Sequence, residues 1–259
     1  MSMKSFFSGI LLVFLYGGQS LAFDHEHKQW DTILKQNLNA KNLVNYKKIK
    51  ENKAPLEDYL KVLKSVKKAD YSKWNKQQKM TFLINAYNAF TVKVIVENYP
   101  LKSIKDIGSL FTSTWKTEFP YLSLLEGSIL TLDGIEHDTL RKNFEDYRIH
   151  AAVNCASISC PVLRKEAYTP AKLNEQLDEQ MQVWLADKTR NQFDSKKGVI
   201  KLSKIFDWYE KDFVKWGGGI NKVLGKYGPS EAKETIKKKA DIDYLDYDWN
   251  LNDSSSNPS

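Results

Sequence analysis

Residues 80–96 read Met80-Thr81-Phe82-Leu83-Ile84-Asn85-Ala86-Tyr87-Asn88-Ala89-Phe90-Thr91-Val92-Lys93-Val94-Ile95-Val96. Apolar side chains fall at nearly every position rather than along one stripe, and this all-round pattern predicts a helix buried on every side. The helix extends back to about Asp70 and forward to Asn98, with Pro100 marking its end. It is no membrane span: the run falls short of the ~20 apolar residues that cross a bilayer, and Asn85, Asn88 and Lys93 interrupt it.

Elements to pack around such a helix follow on both sides. Upstream, in a polar segment over 24–68, Leu56, Tyr59, Leu60 and Leu63 recur at the spacing of an amphipathic helix. Downstream, Asp133-Gly134-Ile135-Glu136 has the form of an acidic capping box, predicting a helix to about Tyr147. Arg148 to Cys155 predicts a short buried strand. A helix follows over 170–188, then a hairpin of Gln192–Asp194 and Val199–Leu202. Ser203 caps another helix, which Gly217-Gly218-Gly219 ends. Leu245, Tyr247, Trp249 and Leu251 alternate with polar residues as in a half-buried strand, and 252–259 reads as a flexible tail. The resulting fold class is α+β, a single mostly helical domain with a small β-sheet.

Composition agrees. Of 259 residues 42% are hydrophobic, and the 12 glycines bring the apolar share to roughly 47%, the ordinary globular range. The net charge is +7, yet only four of the 39 basic residues are arginine, and the lysines are strewn along helix-like faces. That distribution suits solvated surfaces rather than nucleic-acid binding. Met1 to Ala22 reads as a bacterial secretory signal: Lys4, an apolar run from Phe6 to Tyr16, then Ser20-Leu21-Ala22 at the cleavage site. The expected mature chain begins near Phe23, is periplasmic or secreted, and keeps no stable membrane anchor. Residues 23–69 form an N-terminal helical segment and 70–251 the core domain.

Reactive groups concentrate between Asp133 and Arg164. That stretch holds both cysteines, two of the four histidines and three of the four arginines. The other histidines, His25 and His27, fall in what reads as a loose mature terminus. In the predicted strand His150, Ala152 and Asn154 face one way, and Cys155 joins the apolar side. Cys160 lies in a hydroxyl-rich loop before Pro161, suited to presenting a thiol. One reading makes Cys160 a nucleophile, His150 or His137 its base, and Asn85 or Asn88 an orienting or oxyanion group. Arg141 or Arg148 would hold an anionic or peptide-like ligand, helped by Glu136, Asn154 and Ser157. The other reading is a non-catalytic binding module for an anion, with a structural Cys155–Cys160 disulfide. Glu136 can also be the return arm of the capping box, and the asparagines can simply tie loops. Zinc held by His137, His150 and a cysteine or carboxylate is a third possibility, though no short zinc motif is present. Neither cofactor nor metal is otherwise called for.

Phe82-Leu83-Ile84-Asn85-Ala86-Tyr87-Asn88-Ala89, Ile135-Glu136-His137 with Arg141, and Arg148 through Pro161 resemble the family catalogued as domain of unknown function 547. Phe206-Asp207-Trp208-Tyr209, Asp212-Phe213 and Tyr247 through Leu251 fit as well, so the resemblance covers roughly residues 70–251. It implies a shared fold, with bacterial relatives often exported and plant relatives fused to coiled-coil regions. It brings no established reaction or catalytic residue.

Overall fold

The computed structural model of the chain describes residues 22–109 and 112–255. Helices α1 (Lys28–Asn37), α2 (Tyr46–Glu51), α3 (Ala54–Ser65) and α4 (Lys68–Lys73) lead into α5 (Lys76–Asn98), the predicted central helix. It starts later than the apolar pattern alone suggests, because Asn75 interrupts. The Asn75 side chain accepts from the Gln78 N–H at 2.8 Å, and the Gln78 side chain accepts from the Asn75 N–H at 2.9 Å. This reciprocal cap satisfies two otherwise orphaned donors. Every side chain from Met80 to Val96 is buried. Even Lys93 is, because its ammonium pairs with Glu57 of α3 and, at 2.8 Å, with Glu97. The four predicted apolar residues of α3 are all buried too.

The next helix begins at Thr131, not at the Asp133 box: the Thr131 hydroxyl accepts from the Gly134 N–H at 2.9 Å. It runs as α6 (Leu132–Ile135), widens into a π-helical segment (Glu136–Arg141) and closes as α7 (Lys142–Phe144). Glu145, left-handed at φ 52°, ends it short of Tyr147. The predicted strand over 148–155 is instead one helical turn, α8 (Ile149–Ala152), followed by extended Val153. A short apolar run does not distinguish helix from strand. Here the Asn88 amide takes up the backbone groups a neighbouring strand would have paired, as shown below.

Helix α9 (Leu173–Ala186) precedes the predicted hairpin, β1 (Gln192–Asp194) and β2 (Val199–Leu202). The Ser203 hydroxyl accepts from the Ile205 N–H to open α10 (Lys204–Trp208), which breaks at Tyr209 before α11 (Glu210–Gly217). Gly218, at φ 74°, ends the pair in a conformation glycine adopts without strain. Then come α12 (Ile220–Tyr227), α13 (Ser230–Lys237) and β3 (Asp241–Tyr244). The sheet order is β1-β2-β3; Phe193 faces Ile200 across the antiparallel pair, and Ile200 faces Ile242 across the parallel one.

Residues 245–253 form an extended strap rather than the predicted strand. Their alternation is real, with Tyr247, Trp249 and Leu251 turned inward, but the backbone partners are scattered. The Leu245 N–H donates to the Leu202 carbonyl, the Leu251 N–H to that of Lys102, and the Asn250 carbonyl accepts from the Ile158 N–H. Asn252 and Asp253 are buried, so the expected tail does not begin at 252. Residues 256–259 and the expected leader up to residue 21 lie outside the described residues. Among those described, no helix is long and apolar enough to cross a membrane.

The terminus at His25 and His27 is not loose either. His27 is buried, its Nδ1 lies 2.7 Å from the Tyr59 hydroxyl, and burial pushes its pKa down to about 3. Two apolar clusters make up the core. One surrounds α5; the other joins α9, the sheet and α10 to α12, with Trp184 stacked on Phe206 at 4.6 Å. α8 is shared between them, Ile149 and Ala152 in the first and Ala151 in the second.

Candidate functional site

At this junction lies a cavity of about 320 Å³, large enough for a small organic ligand. Tyr87 of α5, Glu136 and His137 of the π segment, His150 of α8 and both cysteines line it, along with Trp208, Tyr209, Tyr247 and Trp249. A π turn holds an extra residue and occurs often at functional sites. Here it carries Glu136 and His137 to the wall.

His150 is fully enclosed. Its Nε2 lies 2.8 Å from Asp212 Oδ2, and its ring stacks on Tyr209 at 4.0 Å between centroids. Asp212 in turn takes two hydrogen bonds from Arg141, at 2.7 and 3.0 Å. Burial pushes the Asp212 pKa upward, but the His150 and Arg141 hydrogen bonds outweigh it and hold the carboxyl well below its usual range. Burial lowers the pKa of His150, so the ring is neutral near pH 7. With Nε2–H donated to the carboxylate, the free Nδ1, which has no partner among the described residues, is an acceptor.

The thiols lie together, with their sulfurs 3.0 Å apart and unbonded. The expected disulfide is therefore not formed in this structure. Cys155 Sγ also lies 3.2 Å from the Tyr247 hydroxyl and 3.3 Å from that of Ser157. Hydrogen bonding from Cys160, against an opposing burial effect, lowers the Cys155 pKa; burial raises that of Cys160. Of the two, Cys155 has the more acidic thiol and is partly exposed, whereas Cys160 is 2% exposed. Cys160, expected as a presented thiol, is thus the buried one and Cys155 the more open one, because the strand whose alternation assigned Cys155 to the core is a helical turn.

The loop between the thiols is tightly built. Ala156 is left-handed at φ 61°, a strained posture for a residue with a side chain. Asn154 holds it, accepting from the Ala156 N–H at 2.9 Å and donating to the Pro161 carbonyl at 2.8 Å. Arg190, which no local motif singles out, donates to the Cys160 carbonyl at 2.7 Å.

The asparagines of α5 sit outside the cavity wall. Asn85 donates to the Tyr168 carbonyl at 2.8 Å and accepts from the Tyr168 N–H at 3.1 Å. Asn88 donates to the Ala152 carbonyl at 3.0 Å and accepts from the Asn154 N–H at 2.8 Å. Both tie loops, so neither orients a histidine nor faces a substrate. Asn88→Ala strands two buried backbone groups and is expected to cost about 3 kcal/mol, read as a lower urea midpoint with an unchanged m-value.

The arginines are likewise engaged. Arg148 pairs with Asp146 and Asp178, each at 2.7 Å, and does not line the cavity. Asn154 is a loop clasp, Ser157 donates to the Tyr247 hydroxyl at 2.9 Å, and Glu136 accepts from the Tyr209 hydroxyl at 3.0 Å instead of closing a capping box. His137 lies 3.5 Å from Asp133 and 3.1 Å from Arg141. Among the described residues no three His, Cys, Asp or Glu side chains converge to hold a metal ion, so the zinc set of His137, His150 and a third ligand is not assembled.

No curated protein and no solved structure matches the chain. Residues 71–185, which carry both thiols and both cavity histidines, match the profile of the family described as "Protein of unknown function, DUF547".

Proposed function

We propose that the protein is a thiol-dependent hydrolase or transferase acting on acyl or amide bonds, with Cys155 as nucleophile. The observation that carries this reading is the Cys155 sulfur, ringed by the Cys160 thiol and the Ser157 and Tyr247 hydroxyls in a cavity that His150 also lines. With the Ser157 proton given to the Tyr247 hydroxyl, the Tyr247 hydroxyl and the Cys160 thiol are the donors left for this sulfur, and donors around a sulfur favour its anion, the reactive form. The thiolate attacks the acyl carbon, the leaving group departs with the bonding electron pair and takes up a proton from water, and a thioester remains. His150 Nδ1 then takes a proton from the water or alcohol that cleaves the thioester, while Asp212 fixes the ring and its tautomer. The apolar Phe6–Tyr16 run supports export, placing this chemistry in a periplasm or outside the cell. The anion-binding alternative finds less support, because the arginines meant to grip the ligand already have carboxylate partners.

Iodoacetamide labelling read by mass spectrometry tests the assignment. Cys155 is expected to alkylate with an apparent pKa below the ordinary thiol value of about 8.5. Cys160→Ala, which removes a donor, should move that midpoint upward, and Cys155→Ala should abolish the labelling. Alkylation at Cys160 first, or at Cys155 no faster than free cysteine at pH 7, overturns the proposal.

A further inference from the structure

We infer that the ligand of this cavity carries a positive charge, an ammonium or quaternary ammonium group seated against the aromatic side chains at its mouth. The inference takes from the thiol reading only the place where bonds change. Trp208, Tyr247 and Trp249 pack on one another with ring centroids 4.5 to 5.8 Å apart, and Trp115 meets Trp249 edge-on at 5.7 Å. Trp208 is nonetheless 45% exposed. Its indole therefore presents an open aromatic face beside the cavity.

Indole faces attract cations, and quaternary ammonium groups are recognised in such aromatic settings. The Trp249 ring already holds the Lys105 ammonium at 5.0 Å, which shows that a cation suits it. Further in, the wall offers two carboxyl groups, Asp133 and the buried Glu136. Three positive groups lie near: Lys105 already covers Trp249, Arg141 is committed to Asp212, and Lys116 acts on Asp133 as a neighbouring charge, so the half-exposed Trp208 face is the seat left for a ligand cation. His150 provides an independent sign of a guest. It is 2% exposed and lines the same cavity, with Nδ1 unpartnered among the described residues. A buried polar atom of this kind calls for a hydrogen-bonding partner. A cation on the indoles places the rest of a short ligand between that nitrogen and Cys155.

Charged thiol reagents test this on the whole protein. The Cys155 thiolate displaces methanesulfinate from a methanethiosulfonate, leaving a mixed disulfide whose mass is read directly. The reagents are 2-(trimethylammonio)ethyl, 2-sulfonatoethyl and neutral methyl methanethiosulfonate, with rates normalised to free cysteine. The trimethylammonio reagent is expected to be favoured over the sulfonate about tenfold beyond the free-thiol ratio. Trp208→Ala should erase much of that preference and Trp208→Phe should keep most of it. Independently, choline titrated into Cys155→Ala protein should change tryptophan fluorescence saturably. Absence of a charge preference, or of any saturable choline signal, overturns the inference. If all three reagents leave Cys155 unmodified while choline still binds, the thiol reading falls and the cation site stands.

Discussion

Asp212→Ala is expected to destabilise the protein by about 3 kcal/mol, seen as a lowered urea midpoint. Among the described residues the carboxylate alone bonds to both His150 Nε2 and Arg141, and its side chain is 9% exposed. Removing it leaves the guanidinium, 28% exposed, without its anion and the enclosed imidazole without a hydrogen-bond partner on either nitrogen. The partial exposure of Arg141 keeps the figure at the lower end of what breaking a buried pair costs. The sign with pH follows from the depressed Asp212 pKa. The stabilisation is complete above the unfolded value near 4 and fades as pH falls toward the lower folded value. Asp212→Asn should therefore flatten the acid limb of a stability–pH curve. It should also reverse the hydrogen bond to Nε2, move the imidazole proton to Nδ1 and deprive the site of its base. Thioester adducts on Cys155 would then persist, an outcome mass spectrometry can detect.

A second large effect belongs to the N-terminal segment. His27 has its pKa pushed down to about 3 by burial, against an unfolded value of 6.5. Below pH 6.5 the unfolded chain takes a proton that the folded chain refuses, so stability falls as pH falls. From pH 7 to pH 4 the linked loss is about 3 kcal/mol. His150, lowered by the same cause, adds to it in the same direction. Denaturant titrations at the two pH values should show His27→Gln losing markedly less stability over this interval than the unsubstituted protein. Equal losses in both would show that His27 is not held neutral.

The parts legible in the sequence were those written in local periodicity. The central helix showed in the density of apolar residues from Met80 to Val96, α3 in its three-and-four spacing, and the hairpin in two short runs around a polar turn. The misread parts were decided at long range. Nothing within Arg148 to Cys155 reveals that Asn88, 64 residues earlier, supplies the amide that ends a helical turn at Ala152. The cavity had the same character. Clustering of His137, His150 and the two cysteines was visible, but the groups that give them their properties come from afar. Asp212 lies 62 residues beyond His150, and Tyr247 lies 92 residues beyond Cys155. The alternation of Tyr247 and Trp249 marks them as inward-facing, but nothing local places them, with Trp208 and Tyr209, in the wall of this cavity.

The strap over 245–253 has a consequence for how far the chain can be trimmed. The family segment stops at residue 185, before the aspartate that pins the imidazole, before the indole at the mouth and before the phenol beside the Cys155 sulfur. A polypeptide cut there would retain both sulfurs but none of these three partners. Removal of only the final fifteen or so residues, by a protease or a stop codon, would take Tyr247 from beside Cys155 and also strip Leu251 and the Asn252 bond to Tyr46 from the core around α5.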